Sequence, residues 1–425
     1  MASHLSLEVK RILRRELKDM GQSILKKQCM DLGIDWEQLE VKDIERLAKP
    51  LSAAIIAFTG KEKSDKIIKE IEKFKVLEEL AIAGEIGEKV GLRKKLDALT
   101  RLGEICFYIG EWDNSLGYFT QALDIAERTE NDHILALKDS IATVHVEMGK
   151  LERGKDRYLQ LLEEATSADD QDIIASVNRG LGKIYWRTGQ FDKAQIHCYR
   201  AIEHYVKVKD PRSQGYIYKD LGDIFGERGQ HEKGLEYYEK SLTMFDRKND
   251  PYNVANINMN MGVIYSLQKD WKKAAQHYEI AVEMTGKEGY INTQAWALFN
   301  LAEAYTKMKK LDEAEKALNQ SASMLEKTDD SMGMAGVCMK FGELYQEQGK
   351  WRDAIPKFEE CVLALKELGI PKYLADATHE LGRCLARVGD FDGARQQYDE
   401  AIKIYEELGI DSSLENVKKD LEKLG

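Results

Sequence analysis

The chain marks itself off every forty residues. Gly149, Gly189, Gly229, Lys269, Lys309, Gly349 and Gly389 stand forty apart, and Gly110 lies thirty-nine before the first. Each mark separates two stretches with helical apolar spacing, and each sits where the first of two helices must stop. A fixed period of this kind predicts a stack of helix pairs, each burying its apolar face against the next. Glycine occupies five of the seven forty-spaced marks, because a left-handed residue costs it little.

The units align on a leading apolar residue: LGKIYWRTGQFDKAQIHCYRAI from Leu181, LGDIFGERGQHEKGLEYYEKSL from Leu221 and MGVIYSLQKDWKKAAQHYEIAV from Met261. Further copies begin at Leu301, Phe341 and Leu381, and weaker ones at Leu102 and Ile141. A small residue follows the leading one (Gly182, Gly222), and an aromatic comes four positions after it (Tyr185, Phe225, Tyr265, Tyr305, Tyr345). That spacing puts both large side chains on one helical face. A small residue lies near the start of the second helix (Ala194, Ala274, Ala314, Ala354, Ala394), with bulky and small residues beyond it (Tyr278 and Ala281, Tyr398 and Ala401).

This pattern resembles the tetratricopeptide repeat over residues 95–410. The resemblance implies an all-α fold, a right-handed α-solenoid superhelix of about eight helix-turn-helix repeats. Units of that family run to about thirty-four residues and end on a proline. Here they are forty long and lack it, as in the long-repeat subgroup that includes kinesin light chains and spindle-orienting adaptors. Of five prolines, only Pro356 falls inside a predicted helix.

The repeats leave the ends to explain. Residues 1–75 read as a small helical module, 76–94 as a degenerate capping repeat (Val76 to Gly91 resembles the end of a second helix), 95–410 as the array and 411–425 as a capping helix. Asp411, Ser412 and Ser413 are read as its N-cap cluster. Residues 5–29 are expected to form one amphipathic helix with Val9, Leu13, Leu17, Met20 and Ile24 as its apolar stripe. Its basic face would suit a membrane surface or a nucleic acid, but the interleaved Glu8, Glu16 and Asp19 favour a helix packed on its neighbours.

Composition narrows the function. Net charge is −11, yet residues 1–75 carry sixteen Lys and Arg against thirteen Asp and Glu, which leaves the acid in the remainder. An acidic array is unsuited to phosphate backbones, so nucleic acid is not an expected partner. No apolar run is long enough for a membrane span, and the N-terminus lacks a signal-peptide core. The expected compartment is cytoplasmic. Cys106, Cys198 and Cys361 fill core slots and read as buried thiols. His197, Cys198 and His204 could hold a metal, but repeat packing accounts for them. There is no phosphate loop, HExxH or nucleophile elbow. The expectation is a non-catalytic protein without cofactor or metal.

A partner site is sought on the inward face of the first helices, which the family uses for contact. Relative to the leading residue this face carries positions −5, −2, −1, +2 and +6. Along −2, +2 and +6 the charges alternate: Asp139 should face Arg179, Glu147 should face Arg187, Lys183 should face Asp223, and Glu343 and Glu347 should face Arg383 and Arg387. The pairing lapses at Met259, Val263, Leu267, Phe299 and Met339, with Trp296 alongside and Asn256, Asn260 and Asn300 at the border. Contiguous apolar surface marks contact, and asparagine both donates to and accepts from a peptide backbone. The site expected from sequence is therefore Asn256, Met259, Asn260, Val263, Trp296, Phe299, Asn300 and Met339, with packing between repeats as the alternative. The function expected is a scaffold that binds a peptide segment or partner helix in the groove. The alternative is a sensor whose superhelix answers a small peptide or metabolite, with the N-terminal module as output. A chaperone-tail clamp is not expected, because no three successive units carry its lysine and asparagine set, and Lys219 has Asp223 where the asparagine should be.

Overall fold

The computed structural model describes residues 4–83, 88–129, 131–328 and 330–424. Among these residues there are twenty-one α-helices and no strand. The fold is an all-α solenoid of helical repeats. By internal contact the chain divides into two compact units, residues 1–250 and 251–425.

The first unit holds α1 (His4–Leu17), α2 (Asp19–Leu32), α3 (Val41–Thr59), α4 (Lys61–Ala83), α5 (Glu88–Ile109), α6 (Trp112–Arg128), α7 (Ile134–Glu147), α8 (Leu151–Ser167), α9 (Gln171–Arg187), α10 (Phe191–Lys207), α11 (Pro211–Glu227) and α12 (His231–Met244). The second holds α13 (Pro251–Leu267), α14 (Trp271–Glu288), α15 (Ile291–Lys307), α16 (Leu311–Thr328), α17 (Ser331–Glu347), α18 (Trp351–Leu368), α19 (Pro371–Val388), α20 (Phe391–Leu408) and α21 (Asp411–Glu422). Within each unit every helix packs on the next in sequence. No described helix is long and apolar enough to cross a membrane.

The marks are the hinges of the pairs. All eight, Gly110 to Gly389, have φ between 60° and 91°, including Lys269 and Lys309 at 60°. The residue after each closes the turn: the Gln190 N–H donates to the Tyr185 carbonyl at 2.8 Å, and the Asp270 and Lys310 N–H groups donate to Tyr265 and Tyr305 at 2.9 Å. A left-handed lysine costs about 1–2 kcal/mol that glycine avoids, partly offset by glycine's greater unfolded entropy. Lys269→Gly and Lys309→Gly should each therefore raise stability by about 1 kcal/mol, read as a higher urea midpoint.

The small residue after each leading position lets the two helices of a pair touch. A Cβ built on Gly222 would lie 2.5 Å from the Tyr238 ring, on Gly262 2.5 Å from Tyr278, on Gly342 2.5 Å from Phe358, and on Gly382 2.6 Å from Tyr398. The bulky partner comes sixteen residues after each glycine, so the contact recurs with the period. A second motif recurs at eighty residues. Buried Asn178 donates its amide to the Ile174 carbonyl (2.7 Å), which turns its oxygen to His197 Nδ1 at 2.9 Å. Asn258 does the same with the Val254 carbonyl and His277, at 2.8 and 2.9 Å. Each imidazole stacks on its own Tyr185 or Tyr265, with 5.3 Å between centroids.

Several sequence expectations need correction. Residues 5–29 form two helices, because Lys18 turns left-handed (φ 55°) between α1 and α2. Close crossing forces the break: a Cβ on Gly21 would sit 2.4 Å from the Leu13 carbonyl oxygen. Val9, Leu13, Leu17 and Ile24 are buried with Leu5, Ile12, Leu47 and Ile55 in the N-terminal core, whereas Met20 is exposed. Proline is also not confined to Pro356. Pro50 lies inside α3, and Pro211, Pro251 and Pro371 open α11, α13 and α19, where a missing N–H costs nothing. The last helix caps on Ile410, so Asp411 lies in its first turn. The reading of Val76 to Gly91 falls partly on residues 84–87, outside the described residues; Val76 itself continues α4.

Candidate functional site

In the second unit α13, α15, α17 and α19 are the first helices of successive pairs, and α21 continues their row. Leu421 stands forty residues after Leu381, so each inward position recurs along the row. At −5 the row reads Asn256, Trp296, Gly336, Asp376 and Asn416. At −1 it reads Asn260, Asn300, Lys340, Glu380 and Asp420.

The apolar residues foreseen here divide between packing and exposure. Met259, Trp296, Phe299 and Met339 are half-buried, whereas Val263 and Leu267 are 43% and 63% exposed. Trp296 and Phe299 meet edge to face with centroids 5.5 Å apart. The Phe299 ring also leans over Gly336, 3.4 Å from where a Cβ would stand. Met339 packs against the buried cluster of Ala354, Phe358, Leu381 and Cys384. Asn256, Asn260 and Asn300 are half-buried beside this strip.

The charges pair less simply than their spacing implies. Glu147 does meet Arg187 (3.2 Å), and Lys183 as well (2.5 Å). Arg179 turns from Asp139 to Asp220 (3.5 Å) and lies 5.0 Å from the Tyr216 ring. Lys219 takes Asp223 at 2.6 Å, which removes the expected Lys183 pair. In the second unit Glu343 pairs with Lys340 (2.9 Å) and Glu347 with Lys309. Arg383 goes to Glu380 (2.9 Å) and Asp420 (3.6 Å), and Arg387 covers Trp351 at 5.3 Å. Two causes recur. Asp220, Lys340, Glu380 and Asp420 at the −1 position supply partners, and three pairs, Lys219–Asp223, Lys340–Glu343 and Glu380–Arg383, lie within one helix at i,i+3 or i,i+4, closer than the next helix. The signal was present in the ladder, but −1 was not used for charge.

Burial sets the protonation of two isolated groups. Asp139 accepts from Ser176 at 2.8 Å and its second oxygen is unpartnered; desolvation raises its pKa to about 6. Desolvation, helped by Arg200, lowers His197 to about 4. The three residues considered for a metal separate: His197 faces Asn178, His204 faces Asp172 at 2.7 Å, and the Cys198 thiol is buried beside Gly182. Cys106 and Cys361 are likewise buried thiols, pushed up to about 11 and about 12 by burial.

Beside the strip, toward the C-terminal end of the second unit, lies a cavity of about 800 Å³. Residues from α15 and from α17 to α21 line it, Met339 among them. Sequence reasoning did not anticipate this cavity. Its signal is the continuation of the −5 and −1 ladders into α21, which the sequence reading had set apart as a cap.

Comparison with known proteins agrees with the architecture. Profiles described as tetratricopeptide repeat match residues 98–132 and 173–247, and one described as soluble NSF attachment protein matches 252–421. No curated protein matches the chain significantly. Among solved structures, the chain is similar to a signal transduction ATPase with numerous domains, carrying a tetratricopeptide repeat sensor, from Pyrococcus horikoshii. The identity is 16% and the TM-score 0.63, over 84% of this chain and 57% of that one. It is also similar to the apo quorum sensor NprR from B. thuringiensis, at 15% identity and TM-score 0.51, over 94% and 97%. A Rap protein complexed with competence and sporulation factor matches at 16% and 0.50, over 91% and 100%. At these identities the likeness is one of fold. The two matched profiles, with the forty-residue units and their left-handed hinges, support a tetratricopeptide repeat protein.

Proposed function

We propose that this protein is a non-catalytic scaffold that captures a protein segment on the inward face of its second unit. The observation that carries the reading is the apolar strip from Met259 to Met339, exposed at Val263 and Leu267 and bordered by asparagines. An extended segment would set its side chains on Val263, Leu267 and the Trp296–Phe299 pair. Its backbone amides would meet Asn256, Asn260 and Asn300, whose side chains both donate and accept. The site residues named from sequence are retained on this ground.

The test compares partners recovered by the intact protein and by two variants. An Asn260/Asn300/Phe299 triple alanine variant should lose at least tenfold in recovery, the loss common for truncating an anchoring aromatic. Because Phe299 also packs into the core, Val263→Lys is the cleaner variant: it changes a side chain already in solvent and should weaken the same partners. Equal recovery of the same partners by all three proteins would sink the proposal.

The neighbours favour a second reading, a sensor. One is named a quorum sensor, and another was solved in complex with competence and sporulation factor. In this reading the segment is a small peptide whose binding changes the pitch of the repeats. Solution scattering profiles that stay the same while a bound peptide titrates to saturation would count against it and leave the scaffold.

A further inference from the structure

Resting on that groove reading, we propose that the captured segment carries an arginine or lysine that enters the cavity beside the strip, six to nine residues from its apolar anchors. The cavity's charges are arranged by depth. Glu380 and Asp420 are 21% and 20% exposed, whereas Lys423, the cation ending the ladder, is 73% exposed. Asp376 is met by the neutral Tyr405 hydroxyl, and Arg383 is shared between Glu380 and Asp420. Asp420 also meets Lys423 at 2.7 Å and His379 at 3.1 Å, and Gln346 donates to Glu380 at 2.9 Å, so these two acids are already partnered, whereas no cation among the described residues meets Asp376. The acids Glu343 and Glu347 also face this space, but their lysines, Lys340 and Lys309, are not among the residues lining it.

The second unit as a whole carries 22 Lys and Arg against 29 Asp and Glu. An added cation is therefore favoured electrostatically from a distance as well as at contact. An added cation would find Asp376, which only a hydroxyl meets, and a charge-assisted bond there is stronger than the neutral one it has.

Met339 lines the cavity and also ends the apolar strip, so the two are continuous. From Phe299 on α15 to Asp376 and Asp420 on α19 and α21 is two to three steps along the row. At about 10 Å per step and about 3.3 Å per extended residue, six to nine residues separate apolar anchor from cation.

A phage library of random dodecapeptides selected on the full-length protein tests this. The expected selection carries apolar residues with Arg or Lys six to nine positions away, in either order. Asp376→Asn should lose the basic preference and keep the apolar one. An apolar preference without a basic one overturns this inference and leaves the groove reading standing. No apolar preference, with recovery unaffected by Val263→Lys, overturns both.

A wild-type measurement guards against a misfolded variant. A labelled selected peptide should bind at least about tenfold more tightly than its Arg→Gln analogue at about 0.05 M salt, and the advantage should shrink at about 0.5 M. A difference under about twofold, or one that salt leaves unchanged, overturns the inference.

Discussion

Gly342→Ala should destabilise the second unit by about 3 kcal/mol, the upper part of the range for forcing a methyl group into a filled core. The added Cβ would stand 2.5–2.6 Å from three atoms of the Phe358 ring, and Phe358 is fully buried. Neither side can yield cheaply, since the ring is enclosed by Leu381, Cys384 and Ala354. Gly349→Ala makes the contrast. Nothing lies within 4 Å of its Cβ site, so only its left-handed backbone (φ 72°) opposes the methyl, at about 1–2 kcal/mol. Urea unfolding of the two variants separates the causes. Phe358→Leu should recover part of the Gly342→Ala loss and none of the Gly349→Ala loss. Equal losses in both variants would refute the close-packing account.

Among the groups through which acid should act on the first unit, two have large shifts of opposite sign. His197 is held near 4, below the ordinary histidine value of about 6.5. As pH falls below 6.5 the unfolded chain takes up this proton and the folded one does not, so stability falls until about pH 4. Asp139 is held at about 6, above its ordinary 3.8. Between those values the folded chain binds more protons than the unfolded one, so this group makes stability rise as pH falls. Each contributes about 2 kcal/mol after allowance for partial exposure. In the intact protein the two nearly cancel.

The variants should uncouple them. Asp139→Asn keeps an acceptor for Ser176 and removes the buried charge. It should stabilise by about 2 kcal/mol at pH 7 and have no effect near pH 4. His197→Gln keeps a donor for Asn178 and cannot titrate, so its unfolding free energy should rise on acidification where that of Asp139→Asn falls. Parallel pH profiles for the two variants would overturn the assignment.

What was legible in the sequence was whatever the period repeats. The eight hinges, the glycine at the helix crossing and its bulky partner can be read from aligned copies, because one local rule is stated many times. Even the departures at Lys269 and Lys309 keep the hinge, since position in the stack outweighs residue preference. The illegible features depend on a single copy. The turn at Lys18 has no glycine or proline of its own, and its cause is Gly21 meeting Leu13 across a crossing that no repeat foretells. The ion pairs were misjudged for a different reason. Spacing tells which helices face each other, whereas the choice of partner depends on side-chain reach, and neighbours three or four apart on one helix lie within easiest reach. The apolar strip was legible as composition; how its members divide between packing and solvent was not. The cavity depended on α21 joining the row, which only a ladder drawn past the last full unit would have disclosed.

Within each unit the described helices make their substantial contacts with partners no more than three places away in chain order. Such a molecule has no keystone. A lesion in one pair weakens its neighbours and fades beyond them, so local opening is set by nearest neighbours. It also means that each unit can acquire order as it is synthesised: within a unit each pair has its docking surface waiting in the pair before it, and no helix must wait for the far end to arrive.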